Sequence, residues 1–199
     1  MRFRNTHPIR SAMVPCLLAL AAGSGSSAED LKGFDLQVKN LALQCRDEVA
    51  GRFEAMMKAG KLTQAQVFDT FYIPVPNSYP QRFHTQYDKA CDEQIQALLD
   101  DYLKKNKRFV YFIIADTNGY VPTHNSRYTQ ALTGNKEVDI RINRAKLMFN
   151  DRTGLAAARN TAPYLIQTYA RDTGETIHDL SVPIMVRDQH WGCVRVGYQ

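Results

Sequence analysis

Arg108-Phe-Val-Tyr-Phe-Ile-Ile-Ala-Asp116, followed by Thr117-Asn-Gly119 and Tyr120-Val-Pro-Thr-His124, is the stretch that decides the fold. Its first part is almost continuously apolar and rich in β-branched and aromatic side chains, the composition of a central strand. Asn118-Gly119 can take the positive φ of a type I′ turn. The chain then returns as a short strand, and Pro122, which has no N–H to give a ladder, confines it to an edge.

Upstream the period is helical. From Leu31 to Ala59 the apolar positions Phe34, Val38, Leu41, Cys45, Val49, Phe53 and Met56 recur at steps of three and four, one stripe of an amphipathic helix with Gly60 as its stop. Gln64–Phe71 predicts a short helical piece. Ile73-Pro-Val-Pro-Asn-Ser-Tyr-Pro80 must be extended, because its prolines fix φ and remove donors. Phe71, Tyr72, Ile73, Val75 and Tyr79 give this strap side chains to pack. A second helix is expected from Gln81 to about Asn106, with Phe83, Tyr87, Cys91, Ile95, Leu98 and Tyr102 on one face.

Downstream, Asn125 to Asp139 is polar and reads as a loop. Asn143-Arg-Ala-Lys-Leu-Met-Phe-Asn-Asp-Arg-Thr-Gly-Leu-Ala-Ala-Ala-Arg-Asn160 gathers cations, amides and one carboxylate around a small Ala-rich core. It predicts a short helix over about Arg141–Phe149, a turn at Thr153-Gly154, and a lid over the sheet. Three strands follow, Tyr164–Arg171, Thr176–Val186 and Cys193–Tyr198, with Pro183 at a bulge or an unpaired position. The sum is α+β, with long N-terminal helices, a mainly antiparallel five-stranded sheet and a helical or loop lid.

Residues 1–28 have the pattern of a cleaved signal peptide. Arg2, Arg4 and Arg10 form a basic region, Met13–Ala22 an apolar run too short to span a bilayer, and Ser26-Ser27-Ala28 a small-residue exit. Export to the periplasm or beyond is the expectation. Residues 29–199 then form a single domain, with 29–66 as N-terminal helix and 67–199 as core. Without the leader, 22 Lys+Arg face 20 Asp+Glu, and no basic stripe is interleaved with aromatics, which argues against nucleic acid. Of the cysteines beyond the leader, Cys45 and Cys91 lie on apolar helix faces. One disulfide between them and three buried thiols, Cys193 included, are both consistent with that placement.

Enzyme signatures are missing. There is no Gly-x-Ser-x-Gly elbow, no Cys-x-x-Cys and no His-x-x-x-His or His-Glu-x-x-His, so no catalytic residue, metal site or cofactor is expected. Ligand capture is better supplied. Arg144, Arg152, Arg159 and Arg195 suit carboxylate recognition, and Tyr164, Tyr169 and Trp191 can wall a pocket. An internal brace, with Asp151 pairing Arg152 or Arg159, would use the same groups.

Asp116-Thr-Asn-Gly-Tyr-Val-Pro-Thr-His-Asn125, Asn143–Asn160, His178-Asp-Leu-Ser-Val-Pro-Ile184 and His190-Trp-Gly-Cys-Val-Arg195 together resemble the Cache/PAS-like sensory domain of bacterial methyl-accepting chemotaxis proteins. Thr70-Phe-Tyr-Ile-Pro-Val-Pro76 extends the likeness from about Val67 to the end of the chain. The resemblance implies a PAS-like five-stranded sheet and a small-molecule pocket between it and its covering loops. The candidate ligand-binding residues are His124, Asn125, Arg152, Arg159, Asn160, Tyr169, Trp191 and Arg195. The expected function is that of an exported domain sensing a small polar or anionic ligand, read out by an inner-membrane receptor. The alternatives are an interaction module that dimerises through its two helical stripes, and an exported hydrolase.

Overall fold

The computed structural model describes residues 31–170 and 174–199; the proposed leader and Arg171, the expected end of one strand, lie outside the described residues. The elements run α1 (Gly33–Lys58), α2 (Gln64–Val67), β1 (Ile73–Pro74), β2 (Phe83–His84), α3 (Asp88–Gln94), α4 (Gln96–Leu103), β3 (Phe109–Asp116), β4 (Tyr120–Val121), a 3-10 turn (Ser126–Tyr128), α5 (Lys136–Ile142), β5 (Leu147–Met148), α6 (Arg152–Arg159), β6 (Leu165–Ala170), β7 (Thr176–Val186) and β8 (Gln189–Tyr198). No described helix is long and apolar enough to cross a membrane.

The main sheet is antiparallel, in the order β3-β8-β7-β6. It has four strands among the described residues where five were expected, and the reason lies at the outer edge of β3. The expected hairpin partner leaves the sheet: β4 pairs instead with β5, Tyr120 opposite Met148 and Val121 opposite Leu147. Pro122 cannot continue a ladder, and two side chains take over the edge it vacates. Asn125 Oδ1 accepts the Phe112 N–H at 2.9 Å, and the Arg127 guanidinium donates to the Val110 carbonyl at 2.8 Å. The Asp116–Gly119 turn is also not the expected I′ form. Only Gly119 has positive φ, while Asp116 Oδ1 accepts the N–H groups of Asn118 and Tyr120. The two-residue type I′ geometry appears instead at Arg187-Asp188, where both residues have positive φ between β7 and β8.

Both faces of the sheet are buried. On one, Phe112, Ile114, Leu180, Val182, Ile184, Val194 and Val196 meet the α1 stripe, with Val38, Ala42, Cys45, Val49 and Phe53 fully enclosed. On the other, Tyr111, Ile113, Ile177 and Cys193 meet Ala157 and Ala158 of α6. The second expected helix is broken. Gln81–His84 is extended because Arg82 bonds the Asn143 and Ala145 carbonyls and β2 pairs with β1, so the helix starts only at Asp88 and bends at Ile95. Its apolar positions Cys91, Ile95, Leu98 and Tyr102 still face the core. Both helical stripes are thus consumed within the chain. Pro183 lies beyond the last β6 pair, Leu165 with Ser181, where β7 has a neighbour on one side only.

Of the two arrangements open to the cysteines, the structure has the buried thiols: Cys45, Cys91 and Cys193 are free and fully enclosed. Burial pushes all three thiols up, Cys193 to about 12, so they behave as small core hydrophobes. All three should therefore resist alkylation in the native protein and react once it is unfolded, a difference readable by mass spectrometry.

Asp116, at the end of β3, accepts from Tyr72 Oη at 2.6 Å and Tyr87 Oη at 2.8 Å, tying the strap and α3 to the sheet. Burial raises its pKa, and the hydrogen bonds from the tyrosines and backbone offset this only in part. The folded state therefore holds this proton more tightly than the unfolded chain, so acidification through the raised value adds stability. Relative to Asp116→Asn, the wild type should gain stability as pH falls from about 7 towards about 4 in paired urea titrations.

Candidate functional site

A cleft of about 350 Å³ opens on the sheet face that α6 covers. Its floor is Tyr111 and Ile113 of β3, Arg195 of β8 and Tyr169 of β6; its roof is Arg144, Phe149, Asp151 and Thr153, with His124 at one side. From residues 143–160, the cleft is lined by Arg144, Phe149, Asp151 and Thr153.

Local backbone chemistry seats this segment. Phe149 N–H donates to the Gly119 carbonyl at 2.8 Å. A Cβ on Gly119 would lie 2.3 Å from the Phe149 carbonyl oxygen, and one on Gly154 would lie 2.0 Å from it, so both positions need glycine for this approach. Asp151 Oδ1 caps α6 through the N–H groups of Thr153 and Gly154, at 2.9 and 3.0 Å. Lys146 sits at φ 63, and its ammonium is held by Asp92 Oδ2 and the Pro122 carbonyl at 2.6 Å each. Three hydrogen bonds, counting the Asp88 carbonyl, offset a left-handed backbone cost of about 1–2 kcal/mol.

The floor centres on a buried ion pair. Arg195 donates to Asp179 Oδ2 through Nε at 2.9 Å and through a second, closer nitrogen, and the two residues are 4 % and 0 % exposed. Burial pulls the Arg195 pKa down, the Asp179 carboxylate more than reverses this, and the guanidinium stays charged. Asp179 Oδ1 and Ser181 Oγ are buried with no hydrogen-bond partner among the described residues. Tyr111 lies over Gly197, where a Cβ would be 2.4 Å from its ring. Its hydroxyl bonds that of Tyr169 at 2.9 Å, and burial, then Asp179, pushes its pKa well above the ordinary phenol value. Both phenol and guanidinium thus keep their protons across physiological pH. His124 Nδ1 accepts the Asn125 N–H at 2.8 Å, so in the neutral ring the proton sits on Nε2.

The predicted residues divide. His124, Tyr169 and Arg195 line this cleft. Asn125 is the edge cap of β3. Trp191 lies on the opposite face, its Nε1 donating to the Val67 carbonyl and its ring against Phe53 and Tyr87. Arg152 is exposed at the start of α6. Arg159 Nε bonds the Thr117 carbonyl, and Asn160 closes a turn with Ala162. Sequence reasoning missed Tyr111, Ile113, Phe149 and Thr153. For the strand pair, the available signal was the alternation with Phe112 and Ile114, hidden because β3 is apolar on both faces.

No protein-family model matches this chain, and no curated protein matches it. Among solved structures it is similar to an extracellular ligand binding receptor from Desulfohalobium retbaense DSM5692, at 15% identity and a TM-score of 0.39. That similarity covers 83% of this chain and 25% of that one, so the chain spans about a quarter of the receptor's length. A likeness of that size carries no functional argument, and the reading of the cleft rests on its own geometry. Among the described residues no group of three or more His, Cys, Asp and Glu side chains is placed to hold a metal ion.

Replacing Asp179 by Asn leaves the Arg195 charge buried without its counter-ion. It should cost about 3–5 kcal/mol in urea denaturation, whereas Arg152→Ala, exposed on α6, should change stability by no more than about 0.5 kcal/mol.

Proposed function

We propose that this protein is an exported, sensory-type domain that binds a small polar or anionic molecule in the cleft beneath residues 143–160, akin to chemoreceptor ligand-binding domains. One observation carries the reading: two guanidiniums, an imidazole and two phenols converge on one cleft that has a single lining carboxylate, Asp151. These groups are hydrogen-bond donors or can act as donors, and a carboxylate-bearing ligand supplies matching acceptors. Ile113, Phe149 and Ala170 offer apolar surface to the rest of such a molecule.

Binding fits the lining better than catalysis. Among the described residues it contains no serine or cysteine beside His124, and one imidazole nitrogen already serves the backbone of Asn125. The interaction-module alternative has lost its surface, because both helical stripes pack inside the chain. Control of a partner in the inner membrane belongs to this proposal and requires the ligand to be identified first.

Isothermal calorimetry with small carboxylic acids, hydroxy acids and amino acids should find a saturable ligand. Arg144→Ala should weaken it at least about tenfold, or about 1.4 kcal/mol. A panel with no binder, or binding indifferent to Arg144, would overturn the reading.

A further inference from the structure

We propose that the end of the domain built from the α4–β3 turn, the 3-10 turn and α5 is a docking surface for an anionic phospholipid membrane. The surface shares Arg144 with the ligand cleft and otherwise uses different side chains.

Charge on this protein is unevenly placed. Residues 31–199 hold 22 Lys+Arg and 18 Asp+Glu. Lys104, Lys105, Lys107, Arg108, Arg127, Arg141 and Arg144 gather at one end, against Asp100, Asp101 and Glu175. With Lys136, Glu137 and Asp139 of α5 included, this end holds a surplus of three positive charges out of the four in residues 31–199. Lys107, Phe109 and Arg127 line two adjoining surface clefts; Lys104 borders the first, and Arg141 and Arg144 the second.

The geometry favours a broad anionic surface over a small anion. The cations spread around two open clefts instead of converging on one point. Lys104, Lys105, Lys107, Arg108, Arg127 and Arg141 are all exposed. Phe34, near the start of α1, stacks on Phe109 beneath the Arg108 guanidinium, 3.8 Å from its ring centroid, and Arg108 Nε bonds the Gln199 carbonyl. At an anionic bilayer surface each Lys or Arg adds about fivefold to binding. Nucleic acid fits less well, because Tyr102 and Phe109 are buried and Tyr128 lies against the Arg127 guanidinium, which leaves no open ring to stack on a base.

The test is vesicle co-sedimentation of the full chain on phosphatidylcholine vesicles and on mixed phosphatidylcholine/phosphatidylglycerol vesicles, with duplex DNA as a second polyanion. The two variants each reverse two exposed cations. Lys107→Glu/Arg141→Glu alters the basic end. Lys58→Glu/Lys61→Glu alters the far end of α1, whose 26 residues span about 39 Å. The wild type should prefer the anionic vesicles, with a preference that fades between about 0.05 and about 0.5 M salt. The first pair should reduce that preference at least about tenfold and the second by about twofold or less. Comparing variants in the full chain cancels the contribution of the apolar run and of Arg2, Arg4 and Arg10. No anionic preference, equal losses in the two pairs, or tighter binding to DNA than to the vesicles would overturn the proposal.

Discussion

A sheet apolar on both faces has no side it can leave to water, and this requirement organises the rest of the molecule. β3, β7 and β8 present aliphatic and aromatic residues alternately up and down, so two separate covers are needed. Helix α1 supplies one with a regular stripe. The other is assembled from irregular pieces, the 143–151 segment and the short α6, whose contacts to the sheet are small alanines. This cover leaves open the cleft between the sheet and Arg144, Phe149, Asp151 and Thr153. The site is thus a product of how the second face is covered: a long helix there would have filled it.

That asymmetry also places the polar groups. Asp179 and Arg195 lie on the face with the irregular cover, in adjacent strands, where a dry aliphatic core would have excluded them. A buried pair of this kind is weak evidence for stability, since its Coulomb energy is largely offset by desolvation. Its value here is positional: Asp179 holds the guanidinium at the floor of the cleft, and Gly197 lets the Tyr111 ring lie flat beside it.

The chain announced its regular elements and concealed its irregular ones. The α1 stripe, the β3 run and the β7 strand were legible because a single periodicity governs each, and Gly60 and the prolines punctuate them. Two other regions were not, because tertiary partners overrode local pattern. Residues 81–87 carry helical spacing, yet Arg82 is drawn to the Asn143 and Ala145 carbonyls and the backbone stays extended. Residues 152–159 looked like a turn at Thr153-Gly154, yet the Asp151 cap starts a helix through that glycine. The eight candidate ligand residues fall in different places. His124, Tyr169 and Arg195 meet at the cleft; Trp191 and Asn125 are polar-tipped residues serving the core, and no local signal separates those two roles.

The cap on β3 has a further consequence. A backbone strand laid along that edge would have satisfied Phe112 and Val110, but it would have carried its own outward row of donors and acceptors. Asn125 and Arg127 satisfy the same groups with side chains, which have no ladder to pass on. The hydrogen-bonding series therefore terminates at β3, and sheet-to-sheet polymerisation has no template on that side.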